Sequence, residues 1–173
     1  MASWPEGIVA NPMFISTFSG LALYDGASSV AVSSAGWPTN NMALFMPFRV
    51  QHPFTARLMW TIIGTSINGS IDLGIYDYRG TRLVSSGIGT PTAINSVYRV
   101  DLTDTVLNPG RYYMAISTGL AGAFQRSALN VQSLRAMGMV QQNSAHPLPA
   151  TAVFVKLVSA FIPTVGITSQ TTV

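Results

Sequence analysis

Short apolar runs separated by Gly, Pro, Asn and Ser dominate the chain from residue 41 onward. The runs are rich in β-branched and aromatic residues, and runs of this kind between turn residues predict β-strands. They are, in order, NMALFMPFRV, FTARLMWTII, SIDLGIYDY, TRLVSSG, SVYRVDL, GRYYMAIS and ATAVFVKLVSAFIPTVGI. Because the strands recur about every 10 to 15 residues, the pattern predicts a single all-β domain, a β-sandwich or jelly roll.

Turn signals divide these runs. The Asn-Gly pair at 68–69 predicts a type I′ turn, whose two central residues need positive φ, so the runs on either side should pair antiparallel. The DYRG sequence at 77–80 predicts a second turn, in which the Asp77 carboxylate accepts backbone N–H groups and Gly80 is left-handed. Pro47 lacks a backbone N–H and therefore predicts a break or bulge in its strand.

Two segments depart from the strand pattern. Residues 25–41, DGASSVAVSSAGWPTNN, concentrate Gly, Ser and Asn and predict a loop or an irregular edge segment. In RSALNVQSLRAMGM the apolar residues recur near helical spacing, with Ser127 placed as an N-cap and Gly138 as a stop. We therefore expect one short helix near residues 128–136.

The first twenty residues differ from the rest because neither strand alternation nor helical spacing persists in them. We expect residues 1–20 to form an extended N-terminal arm and residues 21–173 to form the β-sandwich domain. Large apolar side chains of the arm should bind a groove on a neighbouring subunit, because burial of apolar surface favours association. These side chains are Trp4, Met13, Phe14 and Phe18. The alternative is that the arm folds back on its own domain as an edge strand.

Charged residues are scarce, at 9% of the chain against a usual share of about 25%. The hydrophobic fraction is 48% and the mean hydropathy is +0.36. The surface of such a chain must either expose uncharged polar groups or be buried against partners. Because large exposed apolar patches mark interfaces, we favour burial against partners and predict a homo-oligomer. The net charge is +3 and the pI is about 9.6, but the nine basic residues stand singly along the chain, so we expect no nucleic-acid partner.

The sequence also predicts no membrane partner and no export signal. The apolar stretch VFVKLVSAFIPTVGI is shorter than the about 20 residues that a spanning helix needs, and it contains Lys156 and Pro163. A secretory signal has basic residues before an apolar run, and the opening MASWPEG has none.

The carboxylates of the segment SIDLGIYDYRG are the first candidates for chemistry. Strand alternation places Asp72 on one face with Gly74 and Tyr76, and the aliphatic residues on the other face, which should be the core. Strand and turn roles then account for Asp72 and Asp77. The alternative is a Ca²⁺ site that uses both, although such a site needs six or more oxygen ligands.

Catalytic motifs are missing from the sequence. His52 and His146 are each followed by proline and predicted to be exposed loop residues. The chain has no G-x-S-x-G elbow, no pair of histidines at metal-binding spacing, and no cysteine. We therefore predict no enzyme activity, no catalytic residue, no metal and no cofactor.

Aromatic residues could instead form a platform for sugar rings. Trp60 and the pair Tyr112-Tyr113 lie in apolar runs and should pack in the core or across strands. Trp37 and Tyr78 stand beside turn residues and are predicted to be exposed. They are the candidates for glycan contact.

Three stretches of the chain, SIDLGIYDYRGTRLVSSG, VDLTDTVLNPGRYYMAIS and HPLPATAVF…FIPTVGI, resemble small β-sandwich virion proteins of tailed bacteriophages. The resemblance covers about residues 42–167: an apolar strand ending in Pro-Phe, an aromatic strand with Trp, an Asp-x-Gly-Ile-Tyr-Asp strand, a Gly-Thr turn, and a Pro-Gly turn into a Tyr-Tyr strand. Proteins of that group serve as capsid decoration (cement) proteins or as minor head and tail components, without catalytic residues.

The resemblance implies a structural virion protein, most simply a capsid decoration protein that stabilises the head through subunit contacts. Its partners would be the major capsid protein or other virion proteins, and it would join the virion in the host bacterial cytoplasm. A trimer is the expected oligomer because capsid lattices offer three-fold sites. Since similar strand patterns recur in carbohydrate-binding sandwiches, the alternative is a module of a phage tail or fibre that recognises host glycans.

Overall fold

In the computed structural model, residues 8–9, 33–127 and 130–169 are described, and they form an all-β, sandwich-like fold with one short helix. The strands are β1 (Ile8–Val9), β2 (Ser33–Gly36), β3 (Ala43–Val50), β4 (Phe54–Ile62), β5 (Ile71–Asp77), β6 (Arg82–Ser85), β7 (Val97–Leu107), β8 (Gly110–Thr118), β9 (Ala123–Ser127), β10 (Val140–Gln142), β11 (Val155–Lys156), β12 (Ile162–Pro163) and β13 (Val165–Thr168). The helix is α1 (Val131–Ala136).

The strands described here form three antiparallel sheets. A six-stranded sheet has the order β11-β10-β3-β8-β5-β6, and a four-stranded sheet has the order β1-β13-β4-β7. A three-stranded sheet, β12-β9-β2, continues from β4 and β13 through backbone hydrogen bonds, such as Gly64 N–H to the Ala123 carbonyl at 2.8 Å. The all-β sandwich-like fold expected from the alternation of apolar runs and turns is confirmed.

The main core lies between the six-stranded and four-stranded sheets. Each fully buried aliphatic side chain there contributes about 1.5–3 kcal/mol of transfer free energy. The six-stranded sheet contributes Leu44, Met46, Leu73, Ile75, Met114 and Ile116, and the four-stranded sheet contributes Met59, Val165 and Ile167.

A second apolar cluster covers the opposite face of the six-stranded sheet, which we call the outer face. It joins Phe45, Tyr76 and Ala115 of the sheet to side chains of residues 145–154, the covering segment. The covering-segment residues in this cluster are Ala145, Leu148, Ala152 and Phe154. The expectation that only one face of β5 is buried is therefore wrong, because the covering segment buries the other face as well.

The Asn-Gly signal at 68–69 does not form the predicted hairpin. Gly69 has a φ of +75°, but Asn68 is not in the left-handed region, and a type I′ turn requires both residues to be. Strands β4 and β5 do not pair, because both edges of β4 are occupied, by β13 and β7. The chain instead crosses here from one sheet to the other.

Three smaller expectations also change. Strand β3 runs through Pro47 without a break, since it pairs with β8 over its whole length and β10 pairs only with its first residues, Ala43 to Phe45. Residues Ser33–Gly36, expected in a loop or an irregular edge segment, form β2, an edge strand of the three-stranded sheet. The short helix is confirmed, but Asn130 rather than Ser127 caps it, its Oδ1 accepting from Ser133 N at 2.8 Å.

The predicted arm lies almost wholly outside the described residues, and so do Trp4, Met13, Phe14 and Phe18. Within it, Ile8–Val9 pair antiparallel with Thr168 and Ile167 of β13. For these two residues the structure corresponds to the alternative in which the arm adds an edge strand to its own domain. The boundary after residue 20 stays a prediction. In the part of the chain described, no helix is long and apolar enough to span a membrane.

Candidate functional site

The turn between β5 and β6 forms as predicted. Asp77 Oδ1 accepts hydrogen bonds from Arg79 N at 2.9 Å and from Thr81 N at 2.8 Å. Gly80 has a φ of +90°, and a Cβ at this position would lie 2.9 Å from the Ala152 carbonyl oxygen. The turn thus fixes the two residues at its tip, Tyr78 and Arg79, at the end of the six-stranded sheet.

Asp72 is a buried structural carboxylate, only 1% exposed on the outer face. Its Oδ1 accepts from Ser85 Oγ at 2.6 Å, and its Oδ2 accepts from Leu148 N at 2.9 Å. Both oxygens therefore have protein donors, and Asp72 ties the covering segment to β5 and β6. Within residues 33–127 and 130–169, no three acidic or histidine side chains come together as metal ligands.

His146, at the start of the covering segment, is half-buried rather than the exposed loop residue that was predicted. Its Nε2 lies 2.9 Å from Ser70 Oγ and its Nδ1 lies 2.9 Å from Ser117 Oγ. Burial lowers the pKa of His146 below its usual value of 6.5, and the charge of Asp72 and a hydrogen bond with the Ser117 backbone oppose that shift only in part. The imidazole is thus favoured as the neutral form.

The His146 cluster does not have the geometry of a Ser-His-Asp triad. In a triad one ring nitrogen bonds to a carboxylate and the other to the nucleophile. Here both nitrogens face hydroxyl groups, and the Asp72 carboxylate bonds to a serine and a backbone amide instead. The hydrogen bonds of His146 and Asp72 therefore hold the covering segment against the sheet.

Further bonds continue this attachment along the covering segment. The Tyr76 hydroxyl donates to the Pro149 carbonyl at 2.6 Å, and burial raises the pKa of this phenol, so it remains a donor. The Arg82 side chain donates to the Leu148 carbonyl, and its backbone N–H donates to the Ala150 carbonyl at 2.9 Å. The covering segment and the buried part of the outer face therefore act as one structural unit.

Beyond Phe154, the described residues leave the outer face of the six-stranded sheet open around the last residues of β3 and the first residues of β8. Arg49 of β3 is directly opposite Arg111 of β8, and both side chains are exposed. Two residues nearer the covering segment along each strand, Pro47 is opposite Tyr113. With Tyr78 from the turn, Arg49, Arg111 and Tyr113 define the open end. A shallow depression of about 580 Å³ lies there, and Met137 after α1 forms part of its wall.

Each tyrosine of the open end contacts a neighbouring side chain. Arg79 Nε donates to the Tyr78 hydroxyl at 2.8 Å, and the Arg79 guanidinium lies 5.2 Å from the Tyr78 ring centroid. The Tyr113 ring packs against Phe154 with centroids 4.7 Å apart. Tyr78 nevertheless stays 57% exposed, so part of its ring remains available to a ligand.

The two arginines of the open end have no carboxylate partner in the described part of the chain. The ion pair found there joins Arg57 and Asp104, 3.1 Å apart on the four-stranded sheet. Asp77, which pairs with Tyr112 across β5 and β8, is the nearest acidic residue in the strand register, and its Oδ1 serves the turn. The open end is therefore a basic, aromatic surface.

The two predicted glycan-contact residues have different outcomes. Trp37 is only 3% exposed, and its indole N–H donates to the Met42 carbonyl at 3.0 Å. Its ring packs between Phe124 and Phe161, at 5.1 and 5.3 Å, because the chain folds these distant residues around it. The prediction that Trp37 is exposed for sugar contact is wrong. Tyr78 is exposed as predicted, and its contact with glycans stays a prediction.

The pairing of Arg49 with Arg111 was not foreseen from the sequence, where the basic residues stand singly. Each arginine lies next to the end of a strand, in PFRV and in GRYY. No hairpin connects β3 to β8, so only the sheet register brings the two side chains together. The only feature of the sequence that could have suggested this pairing is that both arginines lie near the end of a strand.

No family model, no curated protein and no solved structure matches this chain.

Proposed function

We propose that this chain is a non-enzymatic structural protein of a tailed-bacteriophage particle, a capsid decoration protein that holds neighbouring subunits together. The resemblance of residues 42–167 to small β-sandwich virion proteins and the scarcity of charge support the proposal. A single structural feature carries it furthest. Val153, Val155 and Val158 are 64%, 42% and 69% exposed on and beside β11, the outermost strand of the six-stranded sheet.

These three valines form an apolar edge that we call the β11 edge. Lys156 is the one charged residue among residues 153–158. A lysine on an edge strand opposes the addition of another strand, so the contact would bury side chains rather than extend the sheet. Exposed apolar residues that cluster in this way mark interaction surfaces.

Strand β7, at the edge of the four-stranded sheet, is less suited to assembly. Val97 and Val106 are exposed on it, but Arg99, Asp101 and Asp104 lie between them. Its register with β4 also shifts opposite Ala56–Leu58. Charges and irregular register are features that keep edge strands from pairing with other chains. We therefore assign the subunit contacts to the β11 edge.

The test compares incorporation of edge variants into particles. The double variant Val153→Asn/Val158→Asn should fold normally but lose the trimer in light scattering and join purified particles poorly. The matched control, Val106→Asn on β7, should assemble like the wild type because it changes an equally exposed valine elsewhere. Normal incorporation of the double variant, or absence of the protein from purified particles, would contradict the proposal.

A second candidate function is favoured by the open end. There, Tyr78 and Tyr113 stand beside Arg49 and Arg111 in a shallow depression, and such concave surfaces with aromatic walls and a few polar groups suit small ligands. This arrangement supports the alternative of a carbohydrate-binding module in a phage tail or fibre.

The two functions are separated by copy number and glycan binding. High copy number in particles with no bound glycan on an array supports the decoration protein. Low copy number with a glycan signal that Tyr78→Ala abolishes supports the carbohydrate-binding module. Tyr98→Phe, a tyrosine change on β7 of the other sheet, serves as the matched control and should leave any signal unchanged.

A further inference from the structure

We propose that the open end binds a saccharide that carries an anionic group, with Arg49 and Arg111 binding the anion and Tyr78 and Tyr113 contacting the sugar ring. This proposal rests on the second candidate function and names its ligand class. The anionic group is a carboxylate or a phosphate, since the guanidinium fork matches both.

The pairing of the two arginines is the first argument. Side chains directly opposite each other on antiparallel strands have Cβ atoms about 4.5–5.5 Å apart, and like charges in this position are destabilising. Arg49 and Arg111 occupy such a position, and β8 is an inner strand with β3 and β5 on its two sides. A bound anion between them would replace this repulsion with two attractive interactions.

The shape of the surface is the second argument. Both arginines line the depression of about 580 Å³ and also a smaller adjoining one of about 390 Å³, which Gln51 and Pro109 help to form. The arginines therefore stand at the junction of two hollows rather than on a convex surface. A ligand larger than a single ion, with its charge at the junction, would fill both.

The aromatic rings are the third argument. The Tyr113 ring packs against Phe154, so it does not have to be immobilised when a ligand binds, and the exposed Tyr78 ring lines the same depression. Pre-ordered side chains lower the entropic cost of association. The combination of two cations with two aromatic rings fits an acidic sugar better than a free ion, which would use only the cations.

The charge of the surroundings is consistent with this ligand. Arg79 adds a third guanidinium at the turn, and the nearest carboxylate in the register, Asp77, has one oxygen engaged by the backbone N–H groups of residues 79 and 81. An anionic group at the open end would therefore meet a net positive field in the described part of the chain.

The experiment compares an acidic oligosaccharide with its neutral form. Oligogalacturonate and its methyl ester share one carbohydrate backbone and differ in charge, and mannose 6-phosphate supplies the phosphate arm. Each is titrated into the full chain by isothermal calorimetry at low and at physiological salt. We expect oligogalacturonate or mannose 6-phosphate to bind at least about tenfold more tightly than the methyl ester, the effect of one charge-assisted hydrogen bond.

Variants test the assigned residues. Arg111→Gln and Arg49→Gln should each weaken binding of the acidic probe about tenfold or more. Arg99→Gln on β7 removes the same charge from the other sheet, and it should change the affinity less than about twofold if binding is local rather than due to net charge. Tyr78→Ala should weaken both acidic and neutral probes. Thermal melting of each variant shows that it is folded.

Each result separates this inference from the function on which it rests. If the methyl ester binds as tightly as the acid and Tyr78→Ala abolishes both, the carbohydrate-binding function stands and the anionic ligand class is wrong. If Arg99→Gln weakens binding as much as Arg111→Gln, the attraction is non-specific and the assigned site is wrong. If none of the three probes binds and glycan arrays are silent, both the inference and the second candidate function are wrong.

Discussion

The outer face of the six-stranded sheet has two ends that use charged and aromatic residues differently. At the covered end, Asp72 and Tyr76 lie under residues 145–154, and every polar side-chain atom discussed there has a protein partner. At the open end, Arg49 and Arg111 face each other across β3 and β8 without a carboxylate partner in the described residues. Both ends belong to the same strands.

The comparison shows how a structural charge differs from a candidate binding charge. Asp72 is buried and bonded to both β6 and the covering segment, so its carboxylate stabilises the fold. The two arginines oppose like charge with like charge, and neither forms an ion pair with a carboxylate in the described residues. A charged group that costs stability and has no internal partner is a better candidate for binding than one that is satisfied.

The largest expected effect is at the covered end. Phe45→Ala removes a fully buried ring that contacts Tyr76 and Phe154, with centroids 5.2 and 5.1 Å away. The resulting cavity should lower the free energy of unfolding by about 3–5 kcal/mol in urea titrations. The control Tyr78→Ala at the open end should change it by less than about 0.5 kcal/mol. Equal losses in the two variants would remove the distinction between the ends.

The next effect is at the turn that links the two ends. Gly80→Val places a β-branched residue at a φ of +90°, with its Cβ 2.9 Å from the Ala152 carbonyl oxygen. Strain and overlap together should lower the free energy of unfolding by about 1–3 kcal/mol. Gly87→Val is the matched control, because its φ is +71° but no heavy atom lies within 4 Å of the added Cβ. Gly87→Val should lower the free energy of unfolding less than Gly80→Val does. A larger decrease for Gly87→Val would contradict the inference that overlap with the Ala152 carbonyl destabilises Gly80→Val.

A pH effect on stability is expected from His146 at the covered end. The pKa of His146 is lowered on folding, so the unfolded chain binds this proton more readily than the folded chain does. The free energy of unfolding should therefore fall as the pH drops below about 6.5 and through the folded-state pKa. His146→Gln should reduce this dependence in urea titrations at several pH values. A wild-type protein whose stability rises on acidification over this range would show that the charged imidazole is favoured instead.

The smallest effect is at the open end. Arg111→Gln relieves the repulsion between directly opposed arginines and should raise the free energy of unfolding by up to about 0.5 kcal/mol at low salt. The gain should shrink at high salt because exposed charges are screened. Arg99→Gln, on the edge strand β7, should give no such salt-dependent gain. A loss of stability in Arg111→Gln would mean that this arginine supports the fold after all.

Local features of the sheet could be predicted from the sequence. The strands from β3 to β8 follow apolar runs between turn residues, and the Asp77–Gly80 turn follows from side-chain hydrogen bonding and a glycine φ. Both depend on residues close together in the chain, so short-range patterns carry the information. The short helix was predicted for the same reason, although its N-cap was displaced from Ser127 to Asn130.

The tertiary structure decided which distant segments meet. The Asn-Gly pair at 68–69 is a strong local signal for a hairpin, yet β4 already has partners on both edges, and the chain crosses to the other sheet. Trp37 stands next to turn residues but is enclosed by Phe124 and Phe161. Burial and strand partners depend on contacts across the whole chain, which periodicity does not specify.

The candidate site shows most clearly which features follow from local sequence and which depend on tertiary structure. The sequence by itself determined that Tyr78 lies at an exposed turn, because a turn of this type is set by its own residues. Only the packing of β3 against β8 placed Arg49 opposite Arg111, and only the end of the covering segment at Phe154 left that pair open to a ligand. Register and coverage arise from contacts between residues far apart in the chain, so no local pattern of charges could have revealed them.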